Sequence, residues 1–199
     1  MNKTKAYFLP RLIAYVIDIF LVSMVASLIL MVIPTNNNLA KLQEESVTLQ
    51  ENYLEEKITN EEFIRQYAMI VYDIDYASVI SYIIQVVLIV LYFIVFQFYN
   101  KGQTIGKKIM KIQVISNSDR ELTINDYLYR AIILDSVLAN ILVIVLVMFM
   151  NKNYYFYSSL TLQIIQIVLS LVTIFMVLFR KDGRGLHDMV SHSKVVMTD

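Results

Sequence analysis

Cysteine is absent from the 199 residues, so neither a disulfide framework nor a thiolate metal site can form. Net charge is missing as well: 17 lysines and arginines offset 17 aspartates and glutamates, which argues against a dedicated nucleic-acid binder. Proline and glycine are scarce, at two and four residues. No nucleophile–base arrangement is apparent, so the chain is not read as an enzyme, and nothing in it asks for a cofactor. What the chain does have is hydrocarbon. It is 57% hydrophobic without counting glycine, whereas soluble domains reach about 45–50% only with glycine included. That excess places it in the membrane class.

Four stretches reach the roughly 20 apolar residues that a bilayer crossing needs. They run over Phe8–Ile33, Ala77–Tyr99, Tyr127–Met150 and Ser158–Phe179. The first is too long for the apolar core of a signal peptide, and no small-x-small cleavage site precedes Pro34, so it is read as a retained span. Charge between the spans then sets the topology. Lys3, Lys5 and Arg11 mark the N-terminus, and residues 34–76 carry nine acidic against three basic residues. Residues 100–126 reverse the balance with five basic against three acidic, and Arg180, Lys181, Arg184 and Lys194 follow the last span. Basic residues favour the cytoplasmic side, so the N-terminus, the 100–126 loop and the tail are expected in the cytoplasm of a multi-pass cell-membrane protein. Tyr7, Phe8, Tyr99, Tyr127, Tyr154, Tyr155 and Tyr157 flank the span ends as an interfacial aromatic belt would.

The expected fold is an all-α integral membrane protein: a four-transmembrane-helix bundle with an extracytoplasmic helical hairpin between spans 1 and 2. Its parts are 1–33 (N-terminus and span 1), 34–76 (acidic hairpin), 77–99 (span 2), 100–126 (basic loop), 127–179 (spans 3 and 4) and 180–199 (C-terminal segment). In the acidic segment Leu39, Leu42, Ser46, Leu49 and Tyr53 recur at helical spacing. Thr59–Asn60–Glu61–Glu62 is a capping box for a second helix lined by Phe63, Tyr67, Ile70 and Ile74. The hairpin serves either as a solvated spacer or as a docking surface.

The basic loop contains GQTIGKK. Its glycines are separated by three residues rather than four and no Ser or Thr follows the lysine, so it is not a phosphate-binding loop. It reads instead as a tight turn into a short interfacial helix. Lys107, Lys108 and Lys111 would face anionic lipid headgroups, with Ile105, Ile109, Met110 and Ile112 dipping inward. KIQVIS and ELTI around NSDR give a hairpin signal.

Charges inside the spans are the candidate site, because intramembrane carboxylates are costly and functional by default. Asp18 lies two helical turns, roughly 10 Å, beyond Arg11. Asp135 lies about 7–8 Å beyond Arg130 in a span entering from the same side. Arg11 and Arg130 are therefore expected to approach Asp18 from the cytoplasmic interface. Ser78, Ser81 and Gln85 form a polar stripe on the second span, and Gln163, Gln166, Ser170 and Thr173 one on the fourth. Both are expected to point at neighbouring helices or a cavity.

The Arg11-to-Asp18 spacing, GQTIGKKIMKIQVI, ELTINDYLYRAII and the ending GRGLHDMVSHSKVV together resemble the RDD family of bacterial membrane proteins, named for one arginine and two aspartates. The resemblance makes Asp188 the second name-giving aspartate, and it leaves the acidic hairpin as an insertion. Asp135 is not among the name-giving residues. Cation/proton exchange has been proposed for the family. His187, His192 and Asp188 are too weakly arranged for a metal site, and pairing of Asp188 with a loop cation or with Arg11 is the preferred reading. The candidate site set is thus Arg11, Asp18, Arg130, Asp135 and Asp188, acting either in ion-coupled transport, with Asp18 exchanging protons with a cation, or as a structural polar cluster in an accessory protein. The partners implied are the bilayer, anionic headgroups, and a second copy or a larger membrane protein.

Overall fold

The first span shows why these residues fold as they do. Helix α1 (Phe8–Val32) buries Ala14, Asp18, Val22 and Ala26, one stripe of every fourth residue. Leu12, Val16 and Phe20 on the other faces stay exposed, as lipid-facing side chains would. Small residues on the buried stripe let other backbone approach α1 closely. The computed structural model describes residues 4–33, 38–118 and 120–198.

The acidic segment forms α2 (Asn38–Leu54) and α3 (Asn60–Ala77). The capping box is present: the Glu62 amide donates to Thr59 Oγ1 at 3.3 Å and the Thr59 amide to Glu62 Oε2 at 3.1 Å. Leu39, Leu42, Ser46, Leu49 and Tyr53 all turn inward on α2, and Tyr53 stacks on Phe63 at 4.4 Å between ring centres. The hairpin also leans on the bundle, because Tyr67 meets Phe156 edge to face. At Ser78 the chain passes into α4 (Val79–Ile89), a π-helical stretch (Val90–Phe96) and α5 (Gln97–Tyr99), which together form one apolar helix.

The 100–126 loop holds α6 (Ile105–Ile109) and β1 (Ile112–Ser116). Next come α7 (Ile124–Leu134), α8 (Val137–Phe149), α9 (Lys152–Phe179), α10 (Leu186–Val190) and β2 (Ser193–Met197). The expectation of an all-α chain is corrected here. KIQVIS does not turn back on ELTI; β1 pairs antiparallel with β2 from the tail, Val114 opposite Val195. The Ala6 amide donates to the Val195 carbonyl at 3.0 Å, and Lys5 bridges Val196, so the N-terminal segment adds to the same sheet. Alternation in β1 buries Ile112 and Val114, while β2 buries the neighbours Val195 and Val196, covered on both faces. A hairpin signal read locally cannot see a partner strand some 80 residues away.

Among the described residues, three helices are long and apolar enough to cross a membrane: Phe8–Val32, Val79–Tyr99 and Lys152–Phe179. The expected third span, Tyr127–Met150, is α7 and α8 meeting at a 67° bend. Ser136 sits there with φ +57°, in the left-handed region. The bend frees carbonyls at the end of α7, and others collect them: Gln166 Nε2 donates to the Ile133 carbonyl at 3.0 Å and Tyr15 Oη to the Leu134 carbonyl at 3.4 Å. Gln166 of the polar stripe therefore has a definite job. Gln85 and Gln163 do not turn inward as expected; both are exposed.

Candidate functional site

The five residues singled out from the sequence divide into three places. Asp18 is fully buried, and no arginine holds it. Tyr92 Oη donates to its Oδ1 at 2.6 Å, the Gly106 amide to the same oxygen at 2.7 Å, and Thr104 Oγ1 to its Oδ2 at 2.5 Å. A carboxylate receiving several short hydrogen bonds is stabilised without a counter-ion in contact. The expected approach of Arg11 and Arg130 to Asp18 is overturned. The residues that do approach come from the π-helical stretch and from GQTIGKK.

Local chemistry explains that arrangement. Gly102 takes φ +85°, and a Cβ there would lie 2.1 Å from the Val114 carbonyl oxygen, so the turn requires glycine. Thr104 caps α6 by accepting from the Lys107 amide at 3.3 Å while its hydroxyl proton goes to Asp18. At Gly106 a Cβ would meet the Ala14 carbonyl at 2.2 Å and Asp18 Oδ1 at 2.8 Å. Bare backbone is what lets α6 touch α1. Tyr92 lies in the π-helical stretch, where the extra residue per turn shifts the register of side chains relative to an α-helix.

Asp188 is the arginine-bound aspartate. Arg11 Nη1 donates to its Oδ2 at 2.9 Å, and Arg130 Nη1 donates to its Oδ1. The Gly185 amide adds a bond to Oδ2 at 3.1 Å, and His187 Nε2 lies 3.3 Å from Oδ1. Arg130 also donates to Ser193 Oγ at 2.5 Å and Arg11 to the Val195 carbonyl at 3.3 Å, tying α1 and α7 to β2. The expected pairing of Asp188 with Arg11 is what the structure has. Burial lowers the His187 imidazole below its ordinary value, which keeps it neutral near pH 7. Burial pushes the Asp188 carboxyl up, but its charged neighbours outweigh that and hold it well below the usual carboxylate range. That pull comes from His187, which gains charge at the low pH where Asp188 titrates, and from the guanidiniums of Arg130 and Arg11.

Asp135 stands apart from both groups. It is the last residue before the bend, its amide donates to the Ala131 carbonyl at 3.0 Å, and its buried Oδ1 has no partner among the described residues. Lys107 and Arg130 are the cations in its electrostatic surroundings, and Asp18 is the carboxylate there. Lys107 is not directed at headgroups as expected. It turns inward, donating to Gln97 Oε1 at 3.3 Å and sitting 5.8 Å from the centre of the Phe93 ring. Ile105, Lys108 and Ile109 are the exposed residues of α6.

Tyr92, Thr104, Gly106, Lys107 and Ser193 were not singled out as members of these clusters. Tyrosine in an apolar helix looks like any interfacial aromatic, and serine in a strand carries no signal. The spacing of GQTIGKK was the one visible hint, since a Thr two residues before a Gly suits a cap beside a close contact.

At the opposite end, Lys152 Nζ donates to Asp73 Oδ1 at 2.5 Å, and Tyr82 and Tyr155 each donate to Asp75 at 2.6 Å. The chain matches the family described as the RDD family over residues 5–192. No curated protein and no solved structure matches it.

Proposed function

The chain belongs to the RDD family, and on that premise we propose that it is a multi-pass cell-membrane protein carrying out ion-coupled, cation/proton transport, with Asp135 as the carboxylate that changes protonation. The observation that carries this reading is the bend between α7 and α8, which we read as a broken third span. α7 and α8 bend by 67° at Asp135, whose buried Oδ1 is unpartnered while every oxygen of Asp18 and Asp188 is engaged. Discontinuous helices with a free polar group at the break are how membrane proteins place an ion site within hydrocarbon. Lys107 nearby is the cation against which a proton or metal cation on Asp135 would be balanced. In this reading Asp18 and the Arg11–Asp188–Arg130 group are supports that hold α6 and the tail against the bundle.

The orientation proposed puts the N-terminus, residues 100–126 and the tail in the cytoplasm. Their basic bias supports it, as does their shared sheet, which keeps all three on one side. The acidic hairpin then lies outside.

The reading is tested by flux of sodium or potassium through purified protein in sealed vesicles, with and without a proton gradient. Asp135→Asn should stop gradient-driven flux. Unchanged flux in Asp135→Asn, or none in the parent, would sink the assignment. A second reading, an accessory protein bound to a larger membrane partner or a second copy, is favoured by Gln85 and Gln163. Both amides are exposed on apolar helices, where hydrocarbon offers them no hydrogen bond.

A further inference from the structure

A cavity of about 240 Å³ lies between α1, α7 and α9, floored by β1 and α10. Its charged lining is entirely basic, consisting of Arg11, Lys107 and Arg130, and no carboxylate reaches its wall. Three buried polar atoms on lining residues have no partner among the described residues: Arg11 Nε, Thr173 Oγ1 and His187 Nδ1. Thr173 and His187 are 4% and 5% exposed, so bulk water does not serve them. Buried polar atoms without partners cost stability unless something else bonds them.

The chemistry of these atoms is specific. Arg11 Nε–H is a donor and the Thr173 hydroxyl can donate, so both suit an anionic oxygen, held near Lys107 and near the one positive charge that Arg11 and Arg130 leave over after pairing with Asp188. His187 is neutral and directs Nε2 toward Asp188, which leaves Nδ1 as an acceptor that calls for a hydroxyl. The remaining wall is hydrocarbon, and its side between α1 and α9 is where lipid would lie. α9 packs on α7 and α8 rather than on α1, and the lining residues Leu12 and Ile174 are both exposed there.

We propose that this cavity binds the headgroup of an anionic glycerophospholipid that also bears a free hydroxyl, with its acyl chains leaving between α1 and α9 into the bilayer. The phosphodiester is held by Arg11 Nε–H, Thr173 and Lys107, and a headgroup hydroxyl donates to His187 Nδ1. The volume suits a headgroup and not a whole lipid, since pockets enclosing entire drug-sized ligands run to roughly 300–1,000 Å³. This site shares Lys107 with the proposed transport site, but the transport carboxylate itself, Asp135, does not line it.

The test is binding of dihexanoyl phosphatidylglycerol to the purified full chain in detergent, beside dihexanoyl phosphatidylcholine and tail-less glycerol 3-phosphate. Phosphatidylglycerol should bind about tenfold or more tightly than either comparator. Thr173→Val removes one hydroxyl at constant shape and should weaken that binding about tenfold, the loss expected for one hydrogen bond to a charged group. Its thermal stability without lipid should not fall, since an unpartnered buried hydroxyl is what it loses. Ile174→Trp, at the exposed mouth, should block binding by bulk alone. Equal binding of phosphatidylcholine would overturn recognition of the anionic headgroup, and equal binding of glycerol 3-phosphate would overturn the lipid as source. Phosphatidylglycerol binding that survives both substitutions would overturn the site.

Discussion

The two ends of the bundle handle carboxylates differently. On the sheet side, Asp18 and Asp188 are fully buried, and each takes bonds from segments far apart in the chain. At the other end Asp73 and Asp75 are only half-buried, answered by a partly exposed lysine and two tyrosines. The first end is a closed lock joining α1, α6, α7 and the tail. The second fastens the hairpin to α9 and tolerates water. Burial raises both the cost of an unpaired charge and the consequence of losing a partner, so equal-looking substitutions should have unequal effects.

The largest difference should come from Asp188. Asp188→Leu leaves Arg11 and Arg130 uncompensated and should cost about 3–5 kcal/mol of stability, read as thermal unfolding in detergent. Lys152→Met at the far end breaks a partly exposed pair and should cost about 1 kcal/mol or less. Adding Arg11→Leu to Asp188→Leu should restore part of the loss, since one stranded charge goes with it. Combined with Asp18→Asn, Arg11→Leu should be additive within about 0.5 kcal/mol, as expected for groups that share no partner. A strong coupling between Arg11 and Asp18 would contradict the separation of the two clusters.

A smaller effect should follow at the contact of α6 with α1. Gly106→Ala forces backbone apart at Ala14 and presses on Asp18, an overpacking that costs roughly 1–3 kcal/mol. Gly183→Ala has its nearest neighbour at 3.5 Å, a flexible Lys5 carbon, and there the cost comes only from its φ of +62°. If the two alanine variants melt alike, close approach is not what Gly106 provides.

The smallest effect is graded with pH. His187 is held below its ordinary value in the fold, so as pH drops below about 6.5 the unfolded chain takes up this proton first. Stability should therefore fall from there downward. Asp188, held well below the carboxylate range, adds a second loss that begins near pH 4. His187→Gln should remove the first loss and keep the second. Melting temperatures across that range check it, and an unchanged first loss would mean that another group titrates there.

Linear order and composition determined much of this protein. Hydrocarbon runs of bilayer length show as α1, as the helix from Val79 to Tyr99 and as α9, because a buried backbone must satisfy itself along the chain. The capping box at Thr59 and the stripe on α2 were equally legible, since both depend on neighbours within a turn or two. Arg11, Asp18, Arg130, Asp135 and Asp188 could be picked out, because charge inside an apolar run is conspicuous by itself. Which of them meet could not. Depth along a helix says how far a side chain lies from the interface but not what stands across from it. That was decided by β1 finding β2, which carries Asp188 up to both arginines, and by Gly106 bringing α6 against α1, which hands Asp18 to a threonine, a tyrosine and an amide. The bend at Asp135 is of the same kind: nothing in YRAIILDSV breaks a helix, and the left-handed turn at Ser136 holds because Gln166 and Tyr15, from two other helices, bond the carbonyls next to it.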